Sequence, residues 1–160
     1  MPAKPEQKKL KKGIIHKPSR VLVFGTFDIL HPGHLYYLEE AKKYGDELCV
    51  IVARDETVRK VKGRYPVMDE LNRVKLINAL KVVDRAVLGC KGDIYARVRE
   101  LQPDIICLGY DQQPPIEELR NELEKVGMQV EMYRIKPFNP EQLQSTKIKQ
   151  KVIEAQKKKQ

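Results

Sequence analysis

Tryptophan is absent from this chain of 160 residues, and aromatic side chains make up only 6% of it. Cysteine occurs three times, at Cys49, Cys90 and Cys107, scattered and without a CxxC pair. That excludes a disulfide framework and a thiolate zinc site. Cys49 and Cys107 fall in predicted strands and read as small core residues of a reducing compartment. Histidine also occurs three times, at His16, His31 and His34. No apolar run approaches the ~20 residues that span a bilayer. The first residues are polar and basic with no hydrophobic stretch, so no secretory signal is expected, and the protein is read as cytoplasmic with no membrane partner.

Charge is abundant, at 33% of the residues, a balance compatible with a thermophile. The formal charge of +9 is concentrated at the ends. Residues 1–20 hold seven Lys or Arg against one acid, about +6, and residues 147–160 hold six Lys against one acid, about +5. The body between them is therefore about −2. Basic ends of this kind can touch RNA or an acidic surface. The plainer expectation is solvated, partly disordered ends, and nucleic acid is not expected as a partner. The length fits one domain with a normal core, and no repeat is visible. The expected organisation is a basic flexible leader over 1–19, with order near Ile14-Ile15, a single domain over 20–156, and a basic tail over 157–160.

The most informative stretch is Val21 to His34, VLVFGTFDILHPGH. A short apolar run bounded by Gly25 reads as a buried strand. Asp28 and a Pro-Gly pair follow, and then a helical pattern begins near Gly33, with Leu35, Leu38 and Ala41 able to share one face. His31 and His34 thus stand where a strand hands over to a helix N-terminus, a place of unpaired N–H groups that attracts anions. Two imidazoles flanking a glycine there suit a polyphosphate. A metal pair is the competing explanation, but metal-binding histidines on a helix usually lie four positions apart, and His16 lies far off in the tail.

The rest of the chain alternates strands with helices. Strands are expected over 20–24, 47–53, 84–89, 104–108 and 128–135, and helices over 33–44, 69–80, 93–101, 116–126 and 147–155. This predicts an α/β, Rossmann-like doubly wound sheet of about five parallel strands with helices on both faces. The segment 54–66 reads as a polar, basic loop after the second strand, on the edge where open parallel sheets bind ligands. That placement favours a phosphate role for this segment. Asp69 reads as the cap of a helix that buries Leu71, Val74, Leu76, Ile77 and Leu80. After the fourth strand, Gly109 permits close approach of a ligand. Asp111 suits a hydrogen bond from a base or ribose, or the orientation of a metal shell. Ser145 and Thr146 read as a cap of the last helix, a second anion-binding terminus with Lys147 beside it.

Gly25-Thr26-Phe27-Asp28 with His31-Pro32-Gly33-His34 resembles the cytidylyltransferase-like nucleotidyltransferase superfamily, from about Arg20 to Glu154. Within it, Val52 to Thr57, Lys81 to Ala86 and Leu108 to Gln112 look most like archaeal FAD synthases. The resemblance implies transfer of an adenylyl group from ATP to FMN, with both as substrates and pyrophosphate as leaving group. His31, His34 and Lys62 are the catalytic residues it implies, Lys62 being the lysine of the 54–66 segment that contacts the phosphates, with Lys60 in reserve. The implied nucleotide site is Gly25, Thr26, Phe27, His31, Pro32, Gly33, His34, Arg73, Asp111, Ser145, Thr146 and Lys147. A divalent ion of the Mg²⁺ type is implied, held mainly by phosphates, with Asp28 as a candidate carboxylate. Relatives are often homodimers, so a homodimer is expected. A CTP-dependent glycerol-3-phosphate cytidylyltransferase is the nearest alternative, but the Arg-Thr-x-Gly stretch of those enzymes is missing before Ser145. A non-catalytic nucleotide- or RNA-binding module is the alternative from another class.

Overall fold

The computed structural model describes residues 17–139, 141 and 143–158. Most of the expected leader, Ile14-Ile15 included, and the last two residues of the expected tail lie outside them. The elements are β1 (Arg20–Gly25), α1 (Pro32–Lys42), β2 (Glu47–Val52), α2 (Asp55–Lys62), α3 (Glu70–Asn78), β3 (Arg85–Leu88), α4 (Ala96–Leu101), β4 (Ile105–Leu108), α5 (Ile116–Lys125), β5 (Glu131–Arg134) and α6 (Ser145–Lys157). All strand pairs are parallel, and the sheet order is β3-β2-β1-β4-β5. The doubly wound five-stranded architecture expected from the alternating pattern is what forms.

The central strands are apolar along their whole length because both faces are covered. One face packs Val21, Val23, Leu48, Val50 and Val52 with Leu38 and Ala41 of α1 and Ile77 of α3. The other packs Leu22, Cys49, Ile51, Ile106 and Leu108 with Val98 and Leu101 of α4 and Leu119 and Leu123 of α5. Each such side chain, fully buried, contributes roughly 1.5–3 kcal/mol of transfer free energy. Cys49 and Cys107 are buried in this core as expected.

Several expectations need correction. Residues 55–62 form a helix, not a loop. Asp55 and Glu56 lie in its first turn and Arg59, Lys60 and Lys62 in its last, both favourable to the helix dipole, and it ends at Gly63 with φ 71°. Only Val58 is buried, so the segment has too few apolar residues to read as a packed helix. In α3 the Asp69 cap is present, accepting from Asn72 N at 2.9 Å. Its buried face differs from the expected one: Leu71 is 70% exposed and Leu76 41%, while the fully buried pair is Ile77 and Arg73. In α1, Leu35 is 41% exposed. In α6, Ser145 occupies the first helical position behind Gln144 and is not the cap.

Candidate active site

Strands β1 and β4 stay paired as far as Val23 and Cys107 and then separate. This is the point where the strand order reverses, and open parallel sheets bind ligands in the crevice outside it. The Gln112 side chain bridges the gap: its Nε2 donates to Phe24 O at 2.6 Å and its Oε1 accepts from Gly109 N at 2.7 Å. The Tyr37 hydroxyl reaches Cys107 O at 2.9 Å, and burial pushes the phenol pKa up. Arg134 secures the same loop from outside, donating to Gly109 O at 2.6 Å. Above these groups a cavity of about 730 Å³ crosses the carboxyl ends of the strands.

His31 is the N-cap of α1, with extended backbone, and its Nδ1 accepts from Gly33 N at 3.1 Å. An Nδ1 that accepts is unprotonated in the neutral ring, so the proton sits on Nε2 and is free to donate into the cavity. The His34 ring stacks on that of His31 with centroids 3.8 Å apart. Burial, then the neighbouring His31 and Lys62, lowers the His34 pKa from 6.5 to about 3. Among the described residues its Nδ1 is buried without a hydrogen-bond partner. A buried lone pair is less costly than a buried N–H, so the proton belongs on the Nε2 edge, toward the cavity. Phe27 supports His34 from below, ring edge to face at 5.3 Å, and its backbone is left-handed at φ 52°. Glycine is required at two points here. A Cβ at Gly25 would lie 2.5 Å from the Phe27 ring, and one at Gly33 would lie 2.9 Å from the His31 ring.

Lys62, at the end of α2, donates to Thr26 Oγ1 at 3.2 Å, and burial followed by the nearby Arg64 lowers its pKa. Lys60 does not line the cavity. Arg64 donates to Thr146 Oγ1 at 3.0 Å, which ties the N-terminal turn of α6 to the segment after α2. Ser145, Thr146 and Asp111 all line the cavity.

Three expected contacts fall elsewhere. Pro32 is the first residue of α1 and serves as backbone. Arg73 is 0% exposed and lies beneath the site. It donates to Thr26 O at 2.6 Å, Ala53 O at 2.8 Å and Met68 O at 3.0 Å, and pairs with Asp55 at 2.6 Å, so it holds the loops rather than a ligand. Lys147 is outside the cavity lining and Lys149 is inside it. Counting from Ser145 at the start of α6, Lys149 is four residues on and shares its face, whereas Lys147 is turned away. That spacing was the signal available in the sequence. Arg64 and Gln112 were likewise missed; the clue to Gln112 is a polar amide just after the glycine that ends β4.

Asp28, the candidate metal carboxylate, is buried and already engaged. One oxygen accepts from Val67 N at 2.8 Å and Met68 N at 2.9 Å, and the other pairs with Lys149. Burial raises its pKa, but Lys149 and the two backbone donors outweigh this and the net shift is downward. Among the described residues no cluster of three His, Cys, Asp or Glu could hold a metal ion alone. Asp111, exposed on the cavity wall near the Lys62 charge, is the carboxylate that fits an ion held otherwise by phosphate oxygens, the usual habit of Mg²⁺.

The description "cytidylyltransferase-like" belongs to a family model that matches residues 22–151. An FAD synthase from Thermoplasma volcanium is 48% identical over 135 residues, covering 84% of this chain and 94% of its own. One from Archaeoglobus profundus is 49% identical over 139 residues, covering 86% and 88%. A solved structure of a lipopolysaccharide core biosynthesis protein from Thermoplasma volcanium is 50% identical, with a TM-score of 0.74 over 77% of this chain and 100% of its own. Pantoate-beta-alanine ligase from Francisella tularensis, at 15% identity and a TM-score of 0.58, covers 85% of this chain and 69% of its own and shares the fold alone. No helix among the described residues is long and apolar enough to cross a membrane.

Proposed function

The chain belongs to the cytidylyltransferase-like family, and from that membership we propose that it adenylylates FMN, forming FAD and pyrophosphate from ATP and FMN. The substrates are supported by the FAD synthase relatives. The reaction class is carried by one observation: the His31 ring, with Nδ1 tied to Gly33, can present only an Nε2–H donor to the cavity.

The terminal phosphate of FMN attacks the α-phosphorus of ATP in line. The new P–O bond forms as the α–β bridging P–O bond breaks, and pyrophosphate leaves. The attacking phosphate is already ionised, so no protein nucleophile is needed. The protein positions the groups and stabilises charge. His31 and His34 donate hydrogen bonds to phosphate oxygens from the N-terminus of α1, whose dipole adds to the effect. Lys62, fixed against Thr26, and Arg64, fixed against Thr146, balance charge on either side of the reacting phosphorus. Lys149 has N–H donors beyond the one given to Asp28. When bound, a Mg²⁺-type ion supplies further charge neutralisation, and Asp111 would share in holding it.

Pyrophosphate release with Mg²⁺ or Mn²⁺, run with ATP or CTP against FMN or glycerol-3-phosphate, tests this reading. Release with ATP and FMN and a product matching FAD is expected; release only with CTP moves the enzyme to cytidylyl transfer.

A further inference from the structure

Beyond Val23 and Cys107, where β1 and β4 part, a side chain continues the ladder in place of a strand. The Gln112 amide accepts from Gly109 N at 2.7 Å on the β4 side and donates to Phe24 O at 2.6 Å on the β1 side, as a backbone peptide would. A Cβ at Gly109 would lie 3.3 Å from Gln112 Cγ, so the side chain seats against bare backbone. The backbone N–H of Gln112 donates to Gly109 O at 3.2 Å and closes a turn whose two middle residues are Tyr110 and Asp111. Arg134 holds the same turn from outside, donating to Gly109 O at 2.6 Å and to Gln112 O at 3.1 Å. Gln112 thus fixes Asp111 on the cavity wall. From the opposite side comes Tyr37 of α1, whose hydroxyl lies 2.9 Å from Cys107 O and 3.1 Å from Gln112 Oε1 and can donate its one proton to either. Tyr37 stands three residues after His34 and shares its helix face. A phenol anchored at the end of β4 therefore sets where the N-terminus of α1, with its stacked imidazoles, stands over the sheet edge.

Resting on the nucleotidyl transfer proposed above, we propose that Tyr37 and Gln112 are positioning residues for it. Their hydrogen-bonded brace holds the helix end that carries His31 and His34 in register with the turn that carries Asp111. Groups that act on one phosphorus from two separate elements lose rate steeply when those elements shift, since a misplacement of about 1 Å can cost about 100-fold. The brace bonds to backbone and not to a ligand, so its loss falls on kcat rather than on KM.

Tyr37→Phe keeps the ring in its packing and removes only the hydroxyl. Gln112→Glu keeps the shape and sets a carboxylate oxygen against Phe24 O. Each should lower kcat about tenfold or more, with the KM for both substrates within about threefold, in protein assayed well below its melting temperature. The double variant should fall within about twofold of the weaker single, because the two side chains form one brace. Tyr37→Phe alone decides the matter if Gln112→Glu does not fold. Wild-type turnover reads the reaction separately. The brace is indifferent to the acceptor, so kcat is compared with whichever pair of ATP or CTP and FMN or glycerol-3-phosphate the wild type uses. With that turnover present, a folded Tyr37→Phe at wild-type kcat overturns the positioning role and leaves the reaction standing. A raised KM at unchanged kcat also overturns it, by placing the pair on a substrate. Losses that multiply in the double variant overturn the single brace.

Discussion

The imidazole rings of His31 and His34 lie face to face, 3.8 Å between centroids and 24° from parallel. Two cations that close repel strongly, and burial lowers both pKa values. Both shifts favour the neutral ring, and both rings act as neutral donors. The second ionisation of the FMN phosphate, near about 6, supplies an acid limb of its own. That limb should be unchanged in His31→Asn. A pH–rate profile whose acid limb disappears in that variant would show an imidazolium at work instead.

Lys62 loses its proton at a lower pH than a free lysine because burial, and then Arg64, disfavour its charge. The charge is present at neutral pH and is lost as pH rises through the lowered value. Activity should fall on the alkaline side accordingly. Lys62→Arg, which stays charged, should abolish that limb, and Lys62→Ala should cost on the order of 100-fold in turnover. An alkaline limb identical in Lys62→Arg assigns it to another group.

Arg73 is a buried clamp. Its removal leaves three backbone carbonyls and Asp55 without their donor. Arg73→Ala should lower the unfolding free energy by about 3 kcal/mol or more, and Arg73→Lys should rescue little, because an ammonium cannot span the same fork. Denaturant titration reads this. Unchanged stability with a raised KM for ATP would place the guanidinium on the nucleotide.

Asp28 joins three segments, its own loop, the Val67–Met68 backbone and Lys149 of α6. Its folded pKa is depressed, so its stabilisation is present above the unfolded value near 3.8 and is lost as pH falls through the lower folded value. Asp28→Asn should be less stable than wild type at pH 7 by about 1–3 kcal/mol, and the gap should close in acid. Urea titrations at the two pH values check it; a gap independent of pH contradicts the ion pair.

The fold was legible because continuous apolar strands such as Leu48–Val52 alternate with helix patterns, and burial on both faces produces that pattern. The placing of Thr26, His31 and His34 at the strand edge was legible because they sit in one local stretch, whereas Lys62 reaches the cavity from the far end of α2. What escaped depends on long-range geometry. Helix α2 is short and strongly polar and buries only Val58, so it reads as a loop. Arg73 reads as an ordinary helical charge until Thr26 and Ala53, from two strand ends, converge on it. The choice of Lys149 over Lys147 turns on where α6 begins, and helix starts are uncertain by a residue or two.

The most direct test of the site is turnover of His34→Ala with ATP and FMN, measured beside wild type on protein with matching circular dichroism and melting temperature. Loss of a charge-stabilising donor should reduce kcat by about 100–1000-fold while the fold is kept. A folded variant within about threefold of wild type would contradict the role of the stacked pair.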